Sequence, residues 1–148
     1  MFTSPSSFPL PDNLKSVLTP HFPGHDLSQV VIHLSIPWYV RKFAKITPAA
    51  YTSGNNIHFA PGKYDPDSVN GIARIAHEIT HAQQYNQYGK FRFRVKYLAH
   101  FFKGKKEHLS DDEAYYAIKF EKEAYEKAAD VKRQLQGQGV SQAKQCQA

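Results

Sequence analysis

The stretch Ile75-Ala76-His77-Glu78-Ile79-Thr80-His81 decides how the rest of the chain is interpreted, because it places His-Glu-x-x-His inside a segment predicted to be helical. Residues four apart lie on the same face of a helix, so His77 and His81 can direct two imidazole nitrogens at one ion. Glu78 lies about 100° further around that helix, where it can take a proton from a water held by the ion. The motif predicts two metal ligands and a general base.

The alternative is that the two histidines are ordinary side chains of an amphipathic helix. With 8 histidines in 148 residues, random placement produces His-Glu-x-x-His roughly 0.02 times, so chance is a weak explanation. Helical spacing separates an apolar face from a face that carries the histidines. The first consists of Ile72, Ile75, Ala76 and Ile79, and the second of Ala73, His77, His81 and Gln84. Residues 65–68 supply N-cap candidates for this helix, and Gly89 is the candidate for its C-terminal end.

Composition predicts a single globular domain, with 41% hydrophobic and 14% aromatic residues. The one cysteine, Cys146, has no partner for an internal disulfide. The N-terminus lacks the basic and apolar regions of a signal peptide, and no run of about 18 apolar residues occurs. We expect a cytoplasmic protein with no membrane span, while export without a cleaved signal stays open. The oligomeric state is not indicated.

The chain divides into three predicted parts. Residues 1–28 carry five of the nine prolines and are expected to be mostly irregular, with a short helical stretch at 12–18. Residues 29–135 form the domain, with a strand at 29–36, a hairpin ending in a strand at 57–60, and further helices at about 91–102 and 112–135. Residues 136–148 are rich in Gln and Gly without apolar periodicity, which predicts disorder.

Residues 90–106 are basic, with seven lysines and arginines and no acid, within a net charge of +6. Basic and aromatic residues together suit nucleic acid or an anionic membrane surface. However, Val95, Leu98, Ala99 and Phe102 occur at helical spacing. We therefore expect an amphipathic helix with a solvated basic face and no specific nucleic-acid binding.

Three separated blocks occur in order along residues 46–128. They are Ala49-Ala50-Tyr51-Thr52-x-Gly54-Asn55-x-Ile57-x-Phe59-x-Pro61-Gly62-x-Tyr64-x-Pro66, then Ala76-His77-Glu78-Ile79-Thr80-His81-x-x-Gln84, then Phe120-Glu121-x-Glu123-Ala124-Tyr125. This arrangement resembles the bacterial zincin-like metallopeptidase domain of unknown function that is linked to contractile injection systems and polymorphic toxins.

The resemblance implies a compact α+β fold of the minimal gluzincin type. In such a fold a short antiparallel sheet packs on the metal-binding helix, further helices follow, and a later helix supplies a glutamate ligand. The strand beside the cleft is an edge strand that pairs with an extended substrate, and the candidates here are Ile57, His58, Phe59 and Ala60.

Three glutamates compete for the role of third ligand, namely Glu121, Glu123 and Glu126. Helical spacing puts Glu121 in a stripe of small and apolar residues that is predicted to pack inward, where an unpaired carboxylate would be costly and a metal-bound one is compensated. The other two fall on the polar side. Glu121 is the favoured ligand, although Glu126 also fits the Glu-x-x-Ala spacing of other gluzincins.

These residues predict a zinc-dependent metallopeptidase with one Zn²⁺ per chain, held by His77, His81 and Glu121. Three protein ligands and one water leave the position that catalysis needs, and zinc lowers the pKa of that water from ~15.7 to ~7. The candidates for stabilising the oxyanion are Tyr115, Tyr116, Tyr125 and His100.

Two other classes of protein agree less well with these residues. A zinc-containing module that binds protein or nucleic acid without hydrolysis needs the ligands but not the base, so the presence of Glu78 argues against it. A deformylase needs a cysteine ligand upstream of the motif, and the only cysteine is Cys146.

Overall fold

Four short strands and five α-helices make up the part of the chain that the computed structural model describes, which is residues 6–43, 47–101 and 109–146. The strands are β1 (Ser7–Pro9), β2 (Val31–His33), β3 (Ala50–Ser53) and β4 (Asn56–Phe59). The helices are α1 (Asp12–Leu18), α2 (Trp38–Phe43), α3 (Val69–Tyr88), α4 (Lys90–Phe101) and α5 (Asp111–Cys146). Two 3₁₀ turns, Thr19–His21 and Leu27–Gln29, lie between α1 and β2. The predicted α+β class is confirmed.

The strands form one mixed sheet in the order β1-β2-β4-β3. β1 pairs antiparallel with β2, β4 pairs antiparallel with β3, and the central β2 and β4 are parallel. The expectation of an antiparallel sheet is therefore wrong for the central pair. A crossover through α2 and β3 separates β2 from β4 along the chain, so both can run in the same direction and set Ile32 beside Ile57.

The hairpin predicted before the metal helix is present as β3 and β4, joined at Gly54 and Asn55. Gly54 has a φ of +60°, which glycine adopts without strain in such a turn. Because β2 pairs with the other side of β4, the strand expected to be an edge strand at 57–60 is an interior one. The edge beside this hairpin is β3.

The N-terminal segment, which was expected to be mostly irregular, contains a strand and two 3₁₀ turns besides the predicted short helix. β1 completes the sheet, and α1 lies at the predicted short helix. Leu10, Leu14 and Leu18 are each no more than 1% exposed. Leu14 and Leu18 are four apart on one face of α1, and Leu10 lies just before the helix. Pro9 and Pro11 also precede the helix, so they do not interrupt it.

One apolar cluster joins α1, the sheet, α3 and α5. Its buried members are Leu10, Leu14, Leu18, Phe22, Leu27, Val30, Ile32, Ile57, Phe59, Ile75, Ala76, Ile79 and Val131. Three residues of the predicted packing face of α3 are among them, and Ile72 packs against the cluster. The face of α3 that carries the histidines is consequently turned away from this core.

The ends of α3 lie where the sequence predicts them. Ser68 caps the helix by accepting a hydrogen bond from the Gly71 N–H, and Gly89 follows the last helical residue.

α5 runs from Asp111 to Cys146, well beyond the end predicted at residue 135. Residues 136–146, which were expected to be disordered, are helical in the structure. Gln, Ala and Lys have high helix propensities, and Gly137 and Gly139 each cost only about 1 kcal/mol relative to alanine. Among the described residues, no helix is long and apolar enough to cross a membrane.

Candidate metal centre

Three potential ligands converge between α3 and α5. His77 and His81 come from successive turns of α3, and Glu121 comes from α5. The Nε2 atom of His77 lies 3.4 Å from Glu121 Oε2, and Nε2 of His81 lies 3.1 Å from Glu121 Oε1. The three ligand atoms all lie within 4.8 Å of one another. The structure thus brings the three predicted ligands into one cluster.

The spacing of this cluster suits a single tetrahedral ion. Ligand atoms at about 2.0–2.2 Å from zinc are separated by roughly 3.3–3.5 Å when the angle between them is tetrahedral. Each histidine Nε2 lies close to that separation from one oxygen of the carboxylate, His77 from Oε2 and His81 from Oε1. Partial burial raises the pKa of Glu121, but hydrogen bonds with His77 and His81 outweigh this and hold the pKa well below its usual range. The carboxylate is therefore ionised, as a metal ligand must be.

Gln84 orients the ring of His81. Its Nε2 donates to the carbonyl oxygen of Phe120 and to Glu123 Oε2, both at 3.0 Å, so its Oε1 faces His81 Nδ1 at 2.9 Å. Nε2 of His81, 3.1 Å from Glu121 Oε1, can then donate a proton to the carboxylate or, with Nδ1–H bonded to Gln84, offer its lone pair to a cation shared with Glu121. The residues present therefore fit a bound metal ion.

Arg92 competes for the same nitrogen of His81. Its Nη2 lies 2.9 Å from Nδ1, and its Nε donates to Gln84 Oε1 at 3.3 Å. Nδ1 can donate to Gln84 or accept from Arg92, but a single Nδ1 cannot do both. A cation bound at Nε2 would keep Nδ1 protonated and would so select the bond to Gln84.

Glu78 is buried beside the triad, with 9% of its surface exposed. Thr52 of β3 donates a hydrogen bond of 2.6 Å from Oγ1 to Glu78 Oε2. The sheet thus holds Oε2 of Glu78, and Thr52 leaves the other carboxylate oxygen, Oε1, unbonded. This places a carboxylate of fixed orientation next to the ligands, as the sequence predicts for the general base.

These groups line one cleft of about 400 Å³. Its walls come from β3, α3, α4 and α5, and its lining residues are Ala50, Tyr51, Thr52, His77, Glu78, His81, Arg92, Val95, Lys96, Ala117, Phe120, Glu121 and Tyr125. The cleft therefore joins the metal triad to the sheet edge and to a helix that contributes two cations.

The family model of the eCIS core domain matches residues 9–89, which is more than half of the 148 residues. The chain belongs to the eCIS core domain family. This supports the association with contractile injection systems that the sequence blocks indicate. No curated protein and no solved structure matches the chain.

The match to the eCIS core domain ends at Gly89, directly after α3. It contains β3, Thr52 and the His-Glu-x-x-His motif. Glu121 and the two cations of α4 lie beyond it, so their place in the site comes from the structure of this chain.

The structure separates the three candidate third ligands of this eCIS core domain. Glu121 joins the histidines. Glu123 Oε2 instead accepts a hydrogen bond from Gln84 Nε2, and Glu123 Oε1 lies 3.9 Å from Lys119 Nζ. Glu126 Oε1 lies 3.9 Å from Lys122 Nζ. Glu121 is 53% exposed, so the stripe predicted to pack inward faces the cleft at this position and not the apolar core.

The tyrosines considered for the oxyanion are also separated. Tyr125 lines the cleft, with its ring 4.7 Å from the ring of His77. Tyr116 packs against Tyr88 and Phe120, outside the cleft lining, and Tyr115 is 62% exposed with its ring against Tyr116. The side chain of His100 lies outside the described residues.

The edge of the sheet that reaches the cleft is β3, which corrects the assignment of Ile57, His58, Phe59 and Ala60. The N–H of Ala60 donates to the carbonyl of Ala49 at 2.9 Å. In an antiparallel pair, successive residues of a strand direct their main-chain groups alternately to the partner strand and away from it. Ala49 and Tyr51 therefore bond to β4, and the N–H and C=O groups of Ala50 and Thr52 point to the open edge. β3 can pair with an extended peptide there.

The prediction of a solvated basic face on α4 is wrong for two residues. Arg92 is 3% exposed, with its guanidinium 4.9 Å from the ring of Phe120, and burial lowers its pKa. Lys96 lies one turn further along, with its Nζ buried. Arg94 is exposed but its Nε lies 3.0 Å from Glu113 Oε2. Helical spacing could have indicated that Arg92 and Lys96 are buried, because both share a helical face with the apolar Val95.

Proposed function

We propose that this eCIS core domain is a zinc-dependent peptidase. The observation that carries the proposal is that His77, His81 and Glu121 converge in a cleft that also contains the fixed carboxylate of Glu78. Two histidines and a carboxylate are the ligand set of catalytic zinc in several peptidases, and a metal in this triad would supply a water acidified to a pKa of about 7.

The protein groups divide the remaining chemistry between them. Glu78 takes a proton from the attacking water and returns it to the amine that leaves, while Thr52 holds the carboxylate in position. The open edge of β3 binds the peptide in an extended conformation by main-chain hydrogen bonds. We assign the stabilisation of the developing oxyanion to Tyr125, which lines the cleft with its ring 4.7 Å from that of His77.

A non-catalytic role is the competing proposal. A zinc-containing module that holds a protein partner would use the same triad and edge strand, and the family's association with contractile injection systems suits a protein that works within a larger assembly. Such a module has no use for a proton acceptor. The buried carboxylate of Glu78, fixed by Thr52 beside the ligands, favours hydrolysis.

The decisive experiment compares the zinc-loaded parent with Glu78→Gln on a proteome-derived peptide library, with new termini identified by mass spectrometry. We expect Glu78→Gln to keep about one zinc per chain and to lose at least ~10²-fold in cleavage rate, because a general base contributes at least that much. Glu126→Gln is the matched control, since Glu126 pairs with Lys122 outside the cleft.

Equal cleavage by the parent and Glu78→Gln would contradict the role of Glu78. Zinc bound by every variant with no cleavage by the parent would favour the binding module. Absence of zinc from the parent would contradict the metal centre itself.

A further inference from the structure

A buried lysine in the cleft is not used by the chemistry described above. Lys96 lines the same cleft as the metal triad, and its Nζ has less than 1 Å² of exposed surface. Although the residue is partly exposed through its aliphatic stem, Nζ makes no hydrogen bond with any described group. Burying an ammonium without hydrogen bonds is energetically unfavourable, so this position needs an explanation.

The surroundings of Lys96 Nζ are aromatic. The atom lies 3.8 Å from the centroid of the Tyr51 ring and 5.6 Å from that of Tyr85. Tyr51 belongs to β3, the strand whose open edge faces the cleft. A cation held over aromatic faces is stabilised in part, but its N–H groups keep their capacity to donate.

The neighbouring cation, Arg92, is already committed. Its Nε donates to Gln84, its Nη2 contacts His81, and its guanidinium lies over the rings of Phe120 and Tyr85. Arg92 therefore supports the metal ligands. Lys96, one helical turn away, is the other cation of α4 that lines the cleft, and its Nζ has no hydrogen-bond partner among the described residues.

Burial lowers the pKa of Lys96 to about 7, while the nearby carboxylate of Glu78 raises it. Titratable or charged groups face this region from every element packed around it, namely Tyr51 of β3, His58 of β4, Glu78 and Tyr85 of α3, Arg92 of α4 and Glu121 of α5. An amine whose charged form is disfavoured by burial gains most when an anion binds beside it and restores that form.

We propose that Lys96 binds a carboxylate of the peptide substrate and so determines which peptides the cleft accepts. The inference rests on the proposed peptidase function, because carboxylates are the anions that peptides carry. Two sources share this chemistry, the C-terminal carboxylate of the peptide and the side chain of an aspartate or glutamate. Lys96 lies beside β3, so the carboxylate belongs to a substrate residue that lies along that strand.

Three probe peptides distinguish the sources. They are an acetylated tetra-alanine with a free C-terminal carboxylate, the same peptide with a C-terminal amide, and the amide peptide with one internal glutamate. Calorimetric titrations at pH 6 use the full chain carrying Glu78→Gln, so that no peptide is consumed. Each titration is done with zinc and again with EDTA, because a carboxylate could otherwise bind the metal.

We expect one of the two carboxylate peptides to bind roughly ten- to a hundredfold tighter than the neutral amide, the range for a hydrogen bond to a charged group. The preference persists in EDTA, disappears in Lys96→Met and returns in Lys96→Arg. Lys90→Met is the matched control, since Lys90 is an exposed lysine on the same helix. Tighter binding of the peptide with a free C-terminal carboxylate would indicate an enzyme that removes residues from the C-terminus of its substrate. Tighter binding of the glutamate peptide would indicate cleavage near an acidic residue.

Equal affinity for all three peptides would overturn the inference, as would a preference that survives Lys96→Met or requires zinc. Lys96→Met removes a buried charge and keeps a similar shape, so the variant is expected to fold, and circular dichroism checks this. The outcome is separable from the test of hydrolysis. Carboxylate binding without any cleavage activity would keep this site and remove the proposed function, and cleavage without carboxylate preference would do the reverse.

Discussion

Glu121 is the residue on which the candidate metal centre depends most, because among the described residues it is the one that brings a ligand from α5 to the two histidines of α3. We predict that Glu121→Gln weakens zinc binding by at least ~10²-fold, since it replaces a charged ligand by a neutral amide. Glu126→Gln should bind zinc like the parent. Competition titration with a chromophoric chelator measures all three affinities.

Glu123→Gln provides a finer test of the same arrangement. Glu123 accepts a hydrogen bond from Gln84, which orients His81, so its loss should weaken zinc binding by no more than ~10-fold. If Glu121→Gln bound zinc as tightly as the parent while Glu123→Gln or Glu126→Gln did not, the assignment of the third ligand would be wrong.

At the scale of single elements, α1 belongs to the domain core and not to a removable covering segment. Leu18 is 0% exposed and lies in the cluster that contains Ile75 and Ile79 of the metal helix. The segment after α1 is also tied to α5, since Lys127 Nζ donates to the carbonyl of His21 at 2.6 Å. An N-terminal segment packed in this way supports α3 from the side opposite the metal ligands.

We predict that Leu18→Ala lowers the free energy of unfolding by about 2–5 kcal/mol, through lost burial and the cavity left behind. Ser16→Ala, at an exposed position of the same helix, should stay within about 0.5 kcal/mol of the parent. Urea unfolding followed by circular dichroism measures both variants. Similar midpoints for Leu18→Ala and the parent would show that α1 is not part of the cooperative core.

For the whole molecule, the candidate metal centre would link two helices that are far apart in the chain. An ion held by both α3 and α5 would bind the folded state and not the unfolded chain, so it would stabilise the fold. Free zinc at a hundred times its dissociation constant should add about 2.7 kcal/mol. For a domain of this size, that raises Tm by roughly 5–10 °C.

Differential scanning calorimetry with excess zinc and with EDTA checks this expectation. His77→Ala serves as the control, because it lacks one ligand and should melt at the same temperature in both conditions. A parent protein whose Tm does not respond to zinc would show that no ion bridges the two helices.

The sequence by itself determined the features that depend on neighbours in the chain. The pairing of His77 with His81 follows from four-residue spacing on a helix, and the bounds of α3 follow from Ser68 and Gly89. The α+β class and the β3–β4 hairpin likewise follow from local periodicity and turn residues. Glu121 could be favoured because a carboxylate interrupts an otherwise apolar stripe.

Only the tertiary structure decided what depends on contacts between distant segments. The parallel pairing of β2 with β4 puts β3 at the edge, and a strand's neighbours cannot be read from its own residues. Basic residues at helical spacing suit a solvated face or a cleft equally well, so the packing of α4 against β3 and α5 was needed to show that Arg92 and Lys96 are buried. Burial is a property of the assembled fold, and it is what gives those two cations their chemistry.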